Sequence, residues 1–223
     1  MRRPAHQKAP LLSRRAVTLY SYVVRYDSAF APNPFFGYCS LATCKPTIRA
    51  DAEIGDWVVG TGSADKRINR GGRLVYAMKV AETLDWRSYD ADLRFSRKKP
   101  MRTGSRKQSC GDNIYYRSAD DTQWCQRDSF HANPDGSARE DHVRRDTGTD
   151  RILVGQDFYY FGGEGPEIPE HFRDPGRYDI CRKVRRRKPC REDEFILEFE
   201  AWLLTLGDRG FRGRPLEWVL DDQ

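Results

Sequence analysis

Three groups of residues in this 223-residue chain have types and spacings suited to chemistry. The first is Ser129-Phe130-His131. Residues two apart on a strand share a face, so Ser129 and His131 would point into one cleft with Phe130 behind them. That pair reads either as a nucleophile and its base or as a polar wall that hydrogen-bonds a ligand edge. Their Cα atoms would be roughly 6.5–7 Å apart. No third, orienting group can be assigned, so both readings stay open. The second group is Asp27, Asn33 and the rings Phe30, Phe35, Phe36 and Tyr38. Aromatic faces can sandwich a flipped or free base while an amide reads its edge. The same rings also suit a satellite of the core, and Asn33 between two prolines suits a turn. The third group is cationic. It comprises "FSRKKPMRTGSRK" at 95–107, with Lys98 and Lys99, and "CRKVRRRKPC" at 181–190, with Arg185, Arg186 and Arg187. Such runs fit a phosphate backbone or a solvated, salt-bridged face.

Composition limits what surrounds these groups. With 38% hydrophobic and 12% aromatic residues, the chain can bury a core of one large domain. Thirty-nine basic against 33 acidic residues give a net charge of +6, which makes a polyanionic partner plausible without demanding one. The six cysteines form no CxxC pair, and the chain is too large to need disulfide staples, so free thiols are expected. A zinc site would need Cys110, Cys125, His131 or the Cys181/Cys190 pair to converge without zinc-ribbon spacing. No metal and no cofactor is expected, and no P-loop occurs. "MRRPAHQKAPLLSRRA" falls far short of a signal-peptide core, and no apolar run reaches the roughly 18 residues of a membrane helix. The expectation is a soluble, cytoplasmic protein with no membrane partner.

The elements that must position the groups follow from pattern. "VTLYSYVVR" (17–25) is β-branched and aromatic and reads as a buried strand. The proline-rich stretch after it reads as a stiff loop with aromatic walls, entering a short helical or extended segment from Leu41. "IGDWVVGTGS" (54–63) is a turn, strand and turn, and residues 73–82 make another strand. Residues 87–112 are polar, basic and broken by Pro100 and Gly104, which predicts a long flexible loop. Residues 113–131 read as strand, polar turn and strand, with Asp112, Asn113, Tyr115, Tyr159 and Tyr160 as pocket lining or, for Asp112, a turn cap. "DRILVGQDFYYFGG" (150–163) is a further strand. "GPEIPEHF" (165–172) is a short capped helix, and "REDEFILEFEAWLLTL" (191–206) is the clearest helix, ended by Gly207. Residues 1–16 are expected as a disordered basic arm and 17–223 as a single domain.

The order of strand, loop, Lys45-x-Thr47-x-Arg49, Gly55-Asp56 with an apolar strand, and a strand ending near Glu82 resembles the PUA-like superfamily, nearest its ASCH and EVE branches. A more specific resemblance runs from about residue 18 to 220. "LYSYVVRYDSAFAPNPFFGYCSLATCKPTIR", "GDWVVGTGS", "LVYAMKVAETL", "GDNIYYR", "SFH" and "ILVGQDFYYFGG" look like the second family of nucleotide modification associated domains.

The resemblance implies an α+β fold: a PUA-like β-barrel with flanking helices and an elaborated C-terminal half. It implies binding of a modified or modifiable base in DNA or a nucleotide, in a DNA-modification, anti-phage or restriction setting, with other DNA-modification proteins as further partners. The alternative it implies is a hydrolase or transferase acting on a modified nucleobase or nucleoside. ASCH-type amidohydrolases carry over Lys45, Thr47 and Glu82, with the Thr hydroxyl activated by a lysine kept partly neutral by burial. Here one residue is missing between Lys and Thr relative to that pattern, and one residue turns a helical side chain by about 100°. Binding is therefore expected over hydrolysis. In the expected pocket Phe30, Asn33, Phe35 and Tyr38 meet the base, Lys45 and Arg49 the phosphate, and Ser129 and His131 the base edge. A catalytic set would be Lys45, Thr47, Glu82 and His131.

Overall fold

A computed structural model describes residues 15–183 and 188–221. The expected basic arm up to residue 14, and Arg185, Arg186 and Arg187, lie outside the described residues. The first half of the chain contains β1 (Leu19–Val24), β2 (Cys39–Leu41), α1 (Pro46–Asp51), β3 (Trp57–Gly62), β4 (Leu74–Lys79), β5 (Glu82–Leu84), α2 (Trp86–Ala91) and α3 (Arg106–Ser109). The second half contains β6 (Tyr115–Arg117), β7 (Trp124–Gln126), α4 (Glu140–Thr147), β8 (Ile152–Gly155), β9 (Phe158–Tyr160), α5 (Asp193–Thr205), β10 (Gly210–Phe211) and α6 (Leu216–Asp221).

Five strands form one sheet in the order β1-β3-β4-β9-β10, three form a second, β2-β8-β5, and β6 and β7 make a hairpin. β1 and β3 are parallel, Leu19 opposite Trp57, so the chain between them must cross over. That crossover carries the aromatic loop, β2 and α1. β3 then pairs antiparallel with β4, and β4 with β9. The architecture is mixed α+β, and none of these sheets closes into a barrel.

Both faces of the main sheet are covered. Along β3, Val58 packs with Tyr22, Leu41, Met78 and Tyr160 on one side. Trp57 and Val59 face the other side, against Phe195, Phe199 and Leu203 of α5. The helical spacing read from 191–206 is thus the face that seals the sheet, and burying each such side chain contributes roughly 1.5–3 kcal/mol. The turn before β3 is closed by Asp56, whose buried carboxylate accepts from Thr18 N and Glu53 N, each at 2.9 Å. Gly55 turns at φ +94°, a conformation that favours glycine.

The stretch expected as an open basic loop is helical. It holds α2, a 3₁₀ turn at Leu93–Lys98, and α3. Asp85, Asp92 and Ser105 cap these in turn, Ser105 in a capping box with Gln108. Phe95 and Lys98 are fully buried there, Phe95 in a third cluster with Trp86, Tyr89 and Tyr115. Composition hid this, because three short, well-capped turns need few apolar residues.

Candidate functional site

β2 ends at Leu41 and α1 begins at Pro46, so the chain has four residues in which to turn. It does so through Cys44 at φ +59° and Lys45 at φ +39°. Two consecutive left-handed residues with side chains cost about 1–2 kcal/mol each, so the surroundings must hold them. Arg49, wholly buried, does much of this. Its guanidinium donates to the carbonyls of Cys44 (2.9 Å), Asp146 (2.7 Å), Thr149 (2.8 Å) and Arg151 (2.7 Å). Burial pulls its pKa down to about 10, partly opposed by Asp146, so it stays charged at neutral pH. The strained turn is thereby tied to the end of α4 and the start of β8.

The same tie brings three titratable side chains into line. His131 Nε2 lies 3.7 Å from Cys44 Sγ, and His131 Nδ1 lies 2.7 Å from Asp146 Oδ2. Asp146 is fully buried near the end of α4. It also accepts from Tyr115 OH (3.1 Å), Arg145 Nε (3.1 Å) and the Cys44 amide (3.3 Å). Burial would raise its pKa, but the His131 hydrogen bond and charge, with Arg145, outweigh burial and hold it at about 2. For His131 burial disfavours the imidazolium, and the contacts with Asp146 and Cys44 overcome that and raise its pKa. A carboxylate on Nδ1 fixes the tautomer that leaves Nε2 for the sulfur. A thiol, an imidazole and an orienting carboxylate in this order are the parts of an activated nucleophile.

This line opens on a cavity of about 530 Å³. Phe30, Phe130 and Tyr22 give it aromatic walls, and Arg25, Lys45 and Arg145 give it positive charge. Phe30 packs edge-on to His131 at 4.7 Å, and Lys45 Nζ sits 4.3 Å from the Tyr22 ring centroid. Burial lowers the Lys45 pKa. Glu217, from α6, also lines the cavity, and burial first, then Asp27 and Asp221, raises its pKa.

The other expected site residues are dispersed. Thr47 is exposed on α1, and Glu82 on β5 is held by Arg94 through two 2.9 Å bonds and does not line the cavity. Lys45, Thr47 and Glu82 are therefore not gathered in one place. Ser129 and His131 lie in a turn instead of a strand, and Ser129 Oγ accepts from the His131 amide at 3.3 Å. Asn33 is buried, its amide donating to Ala29 O (3.1 Å) and Cys110 O (2.8 Å). Its Oδ1 takes Lys98 Nζ at 2.6 Å, so it presents no free edge to a base. Lys98 also donates to Asn33 O and Tyr38 O, both at 2.9 Å, and burial lowers its pKa to about 8. That ammonium faces the interior and is not placed for phosphate. Lys99 pairs with Asp90 at 2.9 Å. Arg49, spent on carbonyls, is likewise turned away from phosphate. Phe35 is buried against Trp218, and Tyr38 packs on Phe95.

Asp27 is buried, its carboxylate accepting from Tyr160 OH and Leu216 N, and Asp112 accepts from Ser40 and Tyr89. The six cysteines are free thiols. Among the described residues no group of three or more His, Cys, Asp and Glu is arranged to hold a metal, and no helix is long and apolar enough to cross a membrane.

Sequence reasoning reached His131 and missed its partners. Cys44 stood among six unremarkable cysteines, its signal being its place in a four-residue turn before Pro46. Asp146 lies on a helix whose apolar contribution to burial is Val143 alone, so no periodicity announced it.

Fold and site together define an α+β protein with a thiol–imidazole–carboxylate line facing a basic, aromatic cavity. The chain belongs to the family described as nucleotide modification associated domain 2, whose model matches residues 16–222. That membership associates it with nucleotide modification. Searches of curated proteins and of solved structures gave no match.

Proposed function

We propose that the protein is a thiol-dependent hydrolase or transferase acting on an acylated or amidated base of a nucleotide, free or in DNA. The observation that carries this reading is the Cys44–His131–Asp146 line at the wall of the cavity. It replaces the Lys45–Thr47–Glu82 set as the machinery for the amidohydrolase alternative. His131 Nε2 takes the thiol proton as the Cys44 sulfur bonds to the acyl carbon. The bond from that carbon to the exocyclic amine then breaks, and the imidazolium returns its proton to the leaving amine. Water, deprotonated by His131, attacks the thioester, and the sulfur leaves and is reprotonated. A transferase differs in using a second amine in place of water.

The cavity's volume lies within the roughly 300–1,000 Å³ of small-ligand sites. Phe30 and Tyr22 suit a base, and Arg25, Lys45 and Arg145 suit its phosphate. Glu217, on the cavity wall, suits a hydrogen bond to the polar edge of the base. The order of the Lys45–Arg49 segment and the Gly55-Asp56 turn supports kinship with PUA-like domains, as an opened relative. A DNA-modification or anti-phage setting with other modification proteins fits the family's association.

The test is mass spectrometry of N-acylated nucleosides, nucleotides and modified oligonucleotides incubated with wild type, Cys44→Ala and His131→Ala. Deacylation by wild type, with an acyl adduct on Cys44 and no turnover by Cys44→Ala, is the expected result. Turnover that survives Cys44→Ala refutes the thiol mechanism. Tight binding by wild type with neither mass change nor adduct would make the protein a reader of such bases.

A further inference from the structure

Away from the thiol, the other end of the aromatic loop builds a second site. Pro34 to Gly37 form one wall of a separate cavity of about 370 Å³, and Phe211 on β10 and Phe158 on β9 line it with them. Phe36 is held at φ +62° with Gly37 at +85°, so a bulky residue occupies a left-handed position at the cavity's edge. Behind it the rings are braced. Phe35 stacks on Trp218 at 5.7 Å and 18°, and Phe211 stacks on Tyr160 at 5.6 Å and 15°.

Three exposed cations from three different elements also line it: Arg97 from the 3₁₀ turn, Lys107 from α3 and Arg209 before β10. Arg97 lies 4.3 Å from the Phe36 ring centroid, and Lys107 lies 5.1 Å from that of Phe211. Arg209 pairs with Asp157 at 2.7 Å, whereas Arg97 and Lys107 have no carboxylate partner among the described residues. Among the described residues no carboxylate lines the cavity.

We infer that this groove binds a single-stranded nucleic acid segment, stacking an unpaired base on Phe36 and Phe211 and setting the flanking phosphates against Arg97, Lys107 and Arg209. Braced rings interleaved with cations on separate elements are the recurring parts of strand-binding surfaces. An exposed cation–π contact is weaker than a base–aromatic stack, so an entering base displaces the cation from the ring face and leaves it beside that nucleotide's phosphate. A paired base has no free face to offer, which selects single strand over duplex.

The test measures fluorescence anisotropy of a fluorescein-labelled thymidine octanucleotide at 50 and 200 mM salt. Every protein carries Cys44→Ala, so the result is separate from the fate of the thiol reading. Neutralising three phosphates predicts a loss of about 20-fold in affinity between the two salt concentrations. Phe36→Ala should weaken binding about tenfold at either salt concentration. Arg97→Glu with Lys107→Glu, both at the surface, should weaken binding and flatten the salt dependence, with circular dichroism confirming that each variant folds. The inference is overturned by any of four results: no binding at 50 mM salt, binding indifferent to both sets of substitutions, a duplex bound as tightly as the single strand, or free thymidine monophosphate competing as well as the octanucleotide.

Discussion

Replacing Asp146 by Asn tests whether the carboxylate is charge-coupled to His131 or merely hydrogen-bonded to it. The wholly buried carboxyl is held at about 2 against an ordinary 3.8. Nearly two pKa units at about 1.36 kcal/mol each are worth about 2–3 kcal/mol of fold stability above pH 4. A depressed carboxyl pKa stabilises fully above the unfolded value and is lost as pH falls through about 2. The raised pKa of His131 works in the opposite sense. Its share is complete below about 6.5 and is lost as pH climbs through the folded value.

The groups facing the pair are Arg145, Arg49, Tyr115, Cys44 and His142. Arg145 stays charged throughout, so its part does not vary in this range. The stability difference between wild type and Asp146→Asn should therefore form a plateau of about 2–3 kcal/mol from pH ~4.5 to ~6.5, then decline toward the arginine share as pH rises through the folded His131 value. Urea unfolding across that range measures it. In a His131→Ala background the same substitution should give a difference that is flat with pH. A flat difference with His131 present refutes the coupling.

Two further outcomes follow from other contacts. Iodoacetamide should label Cys44 before the other five cysteines by peptide mapping, and His131→Ala should slow that labelling at least about tenfold. Lys98→Met should destabilise by about 3–5 kcal/mol in urea unfolding, because it removes the ammonium that Asn33 Oδ1, Asn33 O and Tyr38 O share and leaves Asp112 buried without the nearby positive charge.

The strands were readable where alternation or β-branching was dense. β1, β3, β4, the β6–β7 hairpin and α5 all fall where the pattern predicts them. The 87–112 segment was not, since capping by Asp85, Asp92 and Ser105 shapes it more than hydrophobic burial does. For the site, the loop's aromatics and Lys45 were visible from residue type, but their division between two cavities was not. Phe30 lines one and Phe35 and Phe36 line the other, a division that composition does not encode. Arg49 shows the limit most clearly. A cation after a turn suggests phosphate, and four carbonyls, three of them about 100 residues away in sequence, make it a structural clamp instead.

That clamp also sets when the thiol becomes special. Cys44 meets His131 across 87 positions of chain, and Arg49 meets Asp146 across 97. Contacts of such separation form after local structure, once the loop-closure entropy has been met. A nascent or half-folded chain therefore carries a Cys44 without its base, as inert as any other cysteine. Reactivity arrives with the docking of α4 and β8 onto the β2–α1 turn. The rate at which the thiol gains its reactivity during refolding is then a clock for that long-range step of assembly, readable with an alkylating agent.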